Sequence, residues 1–350
     1  MHWTGIDVAK KTFDAALVFD GQHYPETKLH EVPVKTFVRT QQGVDQFLSW
    51  IDEQLPSTDD GQLFTVQAVM ESTGKFSLEL ATWLFQRRKE NMAAIVNPGL
   101  TSSFIKSMGL RNKTDRIEAR ALAFYGAERR PALYEPATPS QGQLRELCRL
   151  RDSLISERVA CQNRGDEESP IAFIRRTAAC RIRELERHIT KVEEKMKQTI
   201  QKEASLKRDY EILNSIPGVS FVTASVVLAE LGDLRRFTRA RQISAFAGLS
   251  PKIHDSGTSV KGKRHLCKFG NSRIRHALYM ATMSAVCYCP CMRKCYEDLL
   301  RAGKSKMSAL GAVMRKLLVL MRAMLIANKP YDRNYQNSGM YCGKQHIACG

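Results

Sequence analysis

The sequence predicts an α/β domain at the N-terminus, followed by segments that are mainly helical. Two observations predict the first domain: short apolar runs alternate with amphipathic segments, and turn-prone residues separate them. A third observation predicts the helical part, because apolar residues after residue 139 recur every three or four positions. We therefore divide the chain into residues 1–139, 140–210, 211–330 and a C-terminal tail, 331–350.

The first domain is predicted to contain both strand hairpins and crossover helices. Three strands are expected in series, in HWTGIDVA, KTFDAALVFD and HYPETKLHEVPV, and a helix follows in GVDQFLSWIDEQL. The apolar run LFTVQAVM predicts a strand that ends at Glu71, and FSLELATWLFQRRK predicts a helix. AAIVNP predicts a short buried strand that Pro98 ends.

The segment GLRNKTDRIEARALAFYGAERR predicts a helix with two acids near its start. Asp115 and Glu118 lie three residues apart and continue the apolar stripe of Ala119 and Leu122. One interpretation is local: Asn112 caps the helix, Asp115 completes a capping box, and both acids suit the helix dipole. The other is that a divalent cation separates two carboxylates that would otherwise repel each other.

Residues 140–210 are predicted to form helices that break near RGDEESP. Apolar residues in the second helix repeat with a coiled-coil spacing, at Ile182, Leu185, Ile189, Val192 and Met196. This seam is able to pair with a second copy of the chain or with the neighbouring helix, and the sequence leaves both open. ILNSIPGVSFVTASVVLAELG then predicts two helices joined by a Pro-Gly turn.

The charge of the chain is unevenly distributed. Residues 1–100 hold 9 Lys or Arg and 13 Asp or Glu, a net charge of −4, whereas the whole chain has +18. The later segments therefore carry +22, which predicts a polyanion as partner. The candidate nucleic-acid-binding residues are Arg111, Lys113, Lys261, Lys263, Arg264, Lys268 and Arg273.

Neither a signal peptide nor a membrane span is expected. The N-terminal segment lacks an apolar core, and Arg315, Lys316 and Arg322 interrupt the most apolar late helix. Ten cysteines without a secretion signal favour reduced thiols in a cytosol. The spacing of Cys287, Cys289, Cys291 and Cys295 lacks the paired knuckles of structural zinc sites, so we expect them to be bystander thiols.

Four acids form a candidate metal site. Asp7 lies near the end of the first predicted strand, Glu71 at the end of another, and Asp115 and Glu118 at a helix start. Open α/β sheets bind ligands at the carboxyl ends of their strands. Carboxylates from separate elements that converge there predict Mg²⁺, or Mn²⁺ in its place, and phosphodiester chemistry.

Several motifs resemble the IS one-ten family of insertion-sequence transposases, which are also described as bridge-RNA-guided DNA recombinases. The motifs are GIDVAKKTFD, MESTG, GLRNKTDRIEARALA, IPGV and AFAGLSPKIHDSGTSVKG, in the family's order and spacing up to about Asn328. The resemblance implies a RuvC-like (RNase H-type) α/β domain, a coiled-coil segment and a mainly helical transposase domain. It also implies an oligomer, a dimer or tetramer, in which domains of different chains share an active site.

The resemblance assigns a role to individual residues. The family's first three acids fall on Asp7, Glu71 and Asp115, and its nucleophilic serine falls on Ser256, with Ser259 as the alternative. The fourth acid is usually aspartate, but Glu118 stands here and is one methylene longer. Ser256 would attack a DNA phosphate and form a covalent phosphoserine, while the four acids hold Mg²⁺.

The resemblance further implies that a non-coding guide RNA pairs with donor and target double-stranded DNA. We therefore expect a bacterial, cytoplasmic and nucleoid-associated recombinase. Two alternatives remain open at this point. The first is a RuvC-like junction resolvase that uses the four acids and water, and the second is a non-catalytic nucleic-acid-binding scaffold.

Overall fold

The chain forms two compact units, residues 1–136 and residues 137–350. The structure is a computed structural model, and it describes residues 1–55, 66–88, 93–110, 114–252, 255–256, 260–261 and 265–332. The first unit is an α/β layer structure, and the second is mainly helical. The predicted class, α/β plus α, is therefore confirmed.

A five-stranded mixed sheet forms the centre of the first unit. Its strands are β1 (His2–Val8), β2 (Thr12–Val18), β3 (Val34–Val38), β4 (Val66–Glu71) and β5 (Ala93–Val96). Their order across the sheet is β3-β2-β1-β4-β5. The first three strands form an antiparallel meander, whereas β4 and β5 run parallel to β1.

Helices cover both faces of this sheet. Helices α1 (Gln41–Gln54) and α2 (Lys75–Arg87) pack on one face, and α3 (Pro98–Ser107) and α4 (Asp115–Arg129) pack on the other. Alternate residues of β1 therefore enter different cores: Ile6 packs on the α1 side, and Trp3 on the α4 side.

One strand of this unit differs from its prediction, and one prediction is confirmed. The third strand does not lie in residues 23–34, because prolines at 25 and 33 lack the N–H that a ladder needs; the strand is Val34–Val38. The short buried strand predicted in AAIVNP is confirmed as β5, and Pro98, which follows it, also begins α3. Its missing N–H is tolerated in the first turn, and the Asn97 side chain caps the helix by accepting from the Gly99 N–H.

The second unit begins with a long helical hairpin. Helix α5 (Pro139–Asn163) packs against α6 (Ala172–Lys202), and a short 3₁₀ turn at Asp166–Glu168 lies between them, where the break was predicted. Ile182, Leu185 and Ile189 are buried, and the first two pack against Cys161 of α5. The seam therefore pairs with the neighbouring helix of the same chain.

In the described part of the second unit, six shorter α-helices and four two-residue strands follow the hairpin. They are α7 (Ala204–Asn214), α8 (Phe221–Leu231), α9 (Ala240–Phe246), β6 (Pro251–Lys252), β7 (Asp255–Ser256), β8 (Val260–Lys261), β9 (His265–Leu266), α10 (Ser272–Tyr288), α11 (Pro290–Arg301) and α12 (Lys306–Ala327). The core joins α7, α8, α10 and α12. Among the described residues, no helix is long and apolar enough to cross a membrane.

Candidate active site

Asp7 and Glu71 lie at the same edge of the central sheet. Asp7 is the penultimate residue of β1, and Glu71 is the last residue of β4. The two strands are parallel neighbours with Ile6 opposite Met70, so the next residues along each strand are Asp7 and Glu71. Both side chains are half-buried, and the hydroxyl of buried Thr101 donates to the Glu71 carboxylate.

Close packing of α4 on β1 places Asp115 and Glu118 beside this edge. A Cβ on Gly5 would lie 2.0 Å from the Ala119 carbonyl oxygen and 2.2 Å from the Ala123 nitrogen, so only glycine allows this approach. Asp7 is two residues beyond Gly5 and therefore shares its face. Asp115 and Glu118 are in the first turn of α4, just before Ala119. Since α4 runs antiparallel to β1, with Gly126 against Trp3 and Ala119 against Gly5, this turn lies towards the end of β1 that carries Asp7.

Neither acid of α4 completes a capping box. The cap is Thr114, whose hydroxyl accepts from the Ile117 N–H at 3.3 Å. The predicted capping pair of Asn112 and Asp115 is therefore wrong, because Asp115 is the first helical residue and Ile117 occupies the box position. Asn112 itself is outside the described residues.

Other carboxylates lie near enough to Asp7 to affect its pKa. Burial raises the pKa of Asp7 from 3.8 to about 6, and the carboxylates of Glu118, Asp115, Glu71 and Asp14 contribute in that order. The other three predicted acids therefore all lie near enough to act on Asp7, and their assignment as a metal site stays a prediction.

Asp14 is a fifth acid that the sequence reasoning missed. It lies directly opposite Asp7 on the antiparallel strand β2, so both side chains point to the same face. The hydroxyl of Thr36, opposite Asp14 on β3, donates to its carboxylate. The short β1–β2 connection is the signal that could have revealed this pair, since a tight hairpin sets the register.

The chemistry of these side chains fits a hard divalent cation. All are carboxylates, the ligand type that Mg²⁺ prefers, and a cation would relieve the repulsion that raises the pKa of Asp7. The side chains do not form a coordination shell by themselves: in the described part of the chain, no three His, Cys, Asp or Glu residues are arranged to hold a metal.

Ser256 lies on a small β ladder in the second unit. Strand β7 pairs with β8, with Ser256 opposite Val260 and Asp255 opposite Lys261. For Ser256 and Lys261 the structure describes the backbone only. Five predicted site residues are outside the described residues: Arg111, Lys113, Ser259, Lys263 and Arg264.

The segment that contains Ser256 is closed at its base by backbone contacts. The Cys267 N–H donates to the Ser250 carbonyl at 2.8 Å, and the Asn271 N–H donates to the Phe246 carbonyl at 3.2 Å. A Cβ on Gly270 would lie 2.4 Å from the Phe246 oxygen, so the two backbones touch. We call residues 246–250 and 266–271 the loop base.

A buried carboxylate supports the loop base. Glu230 accepts from Arg149 Nε at 3.1 Å and Nη2 at 3.2 Å, and from Asn271 Nδ2 at 2.9 Å. Burial by itself would raise the pKa of Glu230, but the hydrogen bonds and charge of Arg149 outweigh it and lower the pKa. The Asn271 side chain also caps α10. One buried acid thus connects α5, α8 and the loop base.

The two remaining basic candidates differ in their surroundings. Lys268 is exposed at the loop base and has a left-handed backbone, with φ of 54°. Arg273 forms an ion pair with Asp152 of α5, so part of its charge is neutralised within the unit. Both remain predictions as nucleic-acid contacts.

Two thiols of the Cys287–Cys295 segment, those of Cys289 and Cys291, have protein partners. Cys289 Sγ lies 3.2 Å from Cys291 Sγ and 3.3 Å from the Tyr331 hydroxyl. Pro290 separates α10 from α11 at this point.

Comparisons with known proteins match both units. A family model described as "Transposase" for the DEDD proteins of IS110 elements matches residues 4–167, and the model "Transposase IS116/IS110/IS902 family" matches residues 210–297. The first range contains all four predicted acids, and the second contains Ser256.

Relatives are similar over almost the whole chain. The pilin gene-inverting proteins of Moraxella bovis and Moraxella lacunata are each 29% identical over 332 residues, which is 95% of this chain and 98% of theirs. The transposase for insertion sequence element IS1111A of Coxiella burnetii is 29% identical over 194 residues, 47% of this chain and 51% of that protein.

Proposed function

The chain belongs to the IS110 family of transposases, enzymes that act on DNA, and from this premise we propose how its residues perform strand chemistry. Ser256 is the nucleophile, and Asp7, Glu71, Asp115 and Glu118 are the ligands of Mg²⁺. The observation that supports this proposal best is the position of Asp7, where partial burial and neighbouring carboxylates raise its pKa to about 6.

The first unit supports a RuvC-like, RNase H-type assignment. An antiparallel meander that is extended by two parallel strands, with helices on both faces, is compatible with that fold. We also propose the finer division of the chain, with a catalytic domain in residues 1–139, a helical segment in 140–210, the serine domain in 211–330 and a tail in 331–350.

The proposed chemistry exchanges one phosphoester for another. The Ser256 oxygen forms a bond to a DNA phosphorus, the bond to a sugar oxygen breaks, and that oxygen leaves with a proton. The phosphoester energy is retained in the serine ester, so reversal by another strand needs no ATP. When bound, Mg²⁺ would supply charge neutralisation at the phosphate.

The carboxylates have separate roles within the proposed site. Asp7 and Glu71 are on rigid strands and define its floor, whereas Asp115 and Glu118 approach from the first turn of α4. Glu118 is half-buried, so the extra methylene relative to aspartate lies at the rim of the core. An aspartate at position 118 would reach one carbon less far than Glu118, and Mg²⁺ tolerates little variation in the positions of its ligands.

Guide RNA, double-stranded donor and target DNA and a homo-oligomer are the proposed partners. The large positive charge after residue 100 supports nucleic acid as the partner, since it suits backbone contacts more than base reading. The similarity to pilin gene-inverting proteins extends the proposal to inversion as a possible outcome of strand exchange, besides insertion of an element. A bacterial nucleoid is the proposed place of action.

A hydrolytic nuclease is the second candidate function. It is favoured by one observation: the acids that act on Asp7 all belong to the first unit. Water would then attack the phosphate, and no covalent intermediate would form.

A denaturing-gel assay separates these functions. The wild-type protein, labelled DNA, Mg²⁺ and the RNA that co-purifies are mixed, and a protein–DNA adduct that survives denaturation is scored. We expect the adduct for wild type, none for Ser256→Ala and none for Asp7→Asn. Asp45→Asn is the matched control, because Asp45 is a half-exposed acid of α1 that pairs with Arg87. Cleavage of DNA by Ser256→Ala at the wild-type rate would support the nuclease instead.

A further inference from the structure

Two exposed phenylalanines lie at the loop base of the second unit. Phe246 is 41% exposed and Phe269 is 44% exposed, although phenylalanine is usually buried. Their backbones adjoin, because Asn271 N–H donates to the Phe246 carbonyl and Gly270 packs against that same oxygen. We call the two exposed phenylalanines, together with Arg236 beside Phe246, the loop-base platform.

The platform is held in a fixed shape. The Phe237 and Phe246 rings meet edge to face at 5.6 Å, and the Arg236 guanidinium lies 5.0 Å and 5.8 Å from their centroids. Arg322 of α12 donates to the carbonyls of Phe237 and Thr238, which fixes the chain on the other side. The exposed ring of Phe246 is therefore presented on a rigid support.

The surroundings of the platform are basic. Residues 234–250 contain four arginines and no Asp or Glu, and residues 266–276 contain three Lys or Arg and again no acid. Arg235 is occupied by a two-fold ion pair with Asp209. Arg236, Arg239, Arg241 and Lys268 are exposed within these two stretches. The charge thus complements a polyanion.

We propose that the loop-base platform binds an unpaired nucleotide of the DNA strand that undergoes exchange. Aromatic faces stack on bases, and bases offer their faces only when they leave the duplex, whereas arginines and lysines bind the phosphates on either side. Strand exchange necessarily exposes such nucleotides. The platform borders both ends of the segment that contains Ser256, so the stacked base would lie on the strand being joined.

This proposal rests on the proposed function only for the identity of the strand. Its test measures binding without Mg²⁺ and needs no reaction at Ser256, so a failure of the covalent chemistry leaves the result readable. The probes are a labelled oligothymidine, the same strand in duplex with oligoadenine DNA, and oligouridine RNA.

The variants Phe246→Ala and Phe269→Ala are compared with Phe246→Tyr, which keeps the ring. We expect each alanine variant to lose roughly 5-fold to 150-fold in affinity for oligothymidine, the range of one stacked base. Duplex affinity changes by less than about twofold, because phosphate contacts dominate it. Phe246→Tyr binds like wild type. Phe173→Ala is the matched control, since Phe173 is 77% exposed on α6 near other arginines.

Four outcomes would overturn the proposal. The alanine variants could both keep the wild-type affinity for oligothymidine, lose equal affinity for single strand and duplex, or lose affinity for the RNA alone. The fourth is an equal loss of affinity in Phe173→Ala. If Phe246→Ala unfolds, photo-crosslinking of wild-type protein to bromouracil-substituted oligothymidine replaces it. Crosslinks mapped to Phe246 or Phe269 support the platform, and crosslinks elsewhere in the chain refute it.

Discussion

Replacing Asp7 with asparagine removes one charge from a site where carboxylates repel each other. The neighbours and the partial burial of Asp7 raise its pKa to about 6, above the 3.8 of an ordinary aspartate. The ionised side chain therefore destabilises the folded protein. This destabilisation is absent below pH 4, grows as the pH rises between 4 and 6, and is complete above 6.

The magnitude follows from the two pKa values. Their difference corresponds to roughly 3 kcal/mol, and solvent screening of this half-buried group reduces it to about 1–2 kcal/mol. At pH 7.5, without divalent cations, Asp7→Asn should therefore raise the Tm of the first unit by about 2–8 °C. At pH 4 the two proteins should melt together, because Asp7 is then protonated in the folded wild type.

Thermal unfolding followed by circular dichroism, with EDTA and then with added Mg²⁺, tests this reasoning. Mg²⁺ should raise the wild-type Tm and leave Asp7→Asn nearly unchanged, because a bound ion stabilises only the fold that holds its ligands. Asp45→Asn controls for the loss of an acid elsewhere. An Asp7→Asn variant that is less stable than wild type at pH 7.5, or equally stabilised at pH 4, would show that ionised Asp7 does not destabilise the fold.

Four further predictions concern other parts of the molecule. Glu118→Asp should retain strand transfer and Glu118→Gln should abolish it with the fold intact, as adduct yield and circular dichroism would show; full activity of the glutamine variant would make the carboxylate structural. Leu185→Asp should lower the stability of the helical hairpin by about 2–4 kcal/mol at every protein concentration, because the residue is buried within one chain; a loss that depends on concentration would place the seam between protomers. Asn271→Ser keeps a cap for α10 but removes the amide that binds Glu230. Adduct formation should therefore slow several-fold at saturating DNA, while the free energy of unfolding changes by under about 1 kcal/mol. An unchanged rate would show that the contact is unimportant for the loop base. Nucleic-acid affinity should reside mostly in residues 101–350 and fall steeply with salt in a filter-binding titration, and a salt-insensitive complex would contradict it.

Features encoded within one element could be predicted from the sequence. The strand that ends at Glu71, the existence of the helix that carries Asp115 and Glu118, and the break near residue 165 follow from local periodicity, turn residues and proline. Local chemistry also leaves ambiguities: Pro98 is compatible with the end of a strand and with the first turn of a helix, and the neighbouring Asn97 cap decided between them.

Only the tertiary structure decided which elements meet. The pairing of Asp14 with Asp7 depends on the register of a hairpin, and the approach of α4 to Gly5 depends on the packing of a helix more than 100 residues away in sequence. The seam of α6 is equally apolar whether it faces a second copy or α5, and the core of one chain selects α5. Periodicity specifies which face of an element is apolar. Which other element packs on that face depends on how all the elements together bury their apolar surface and fit one another in shape.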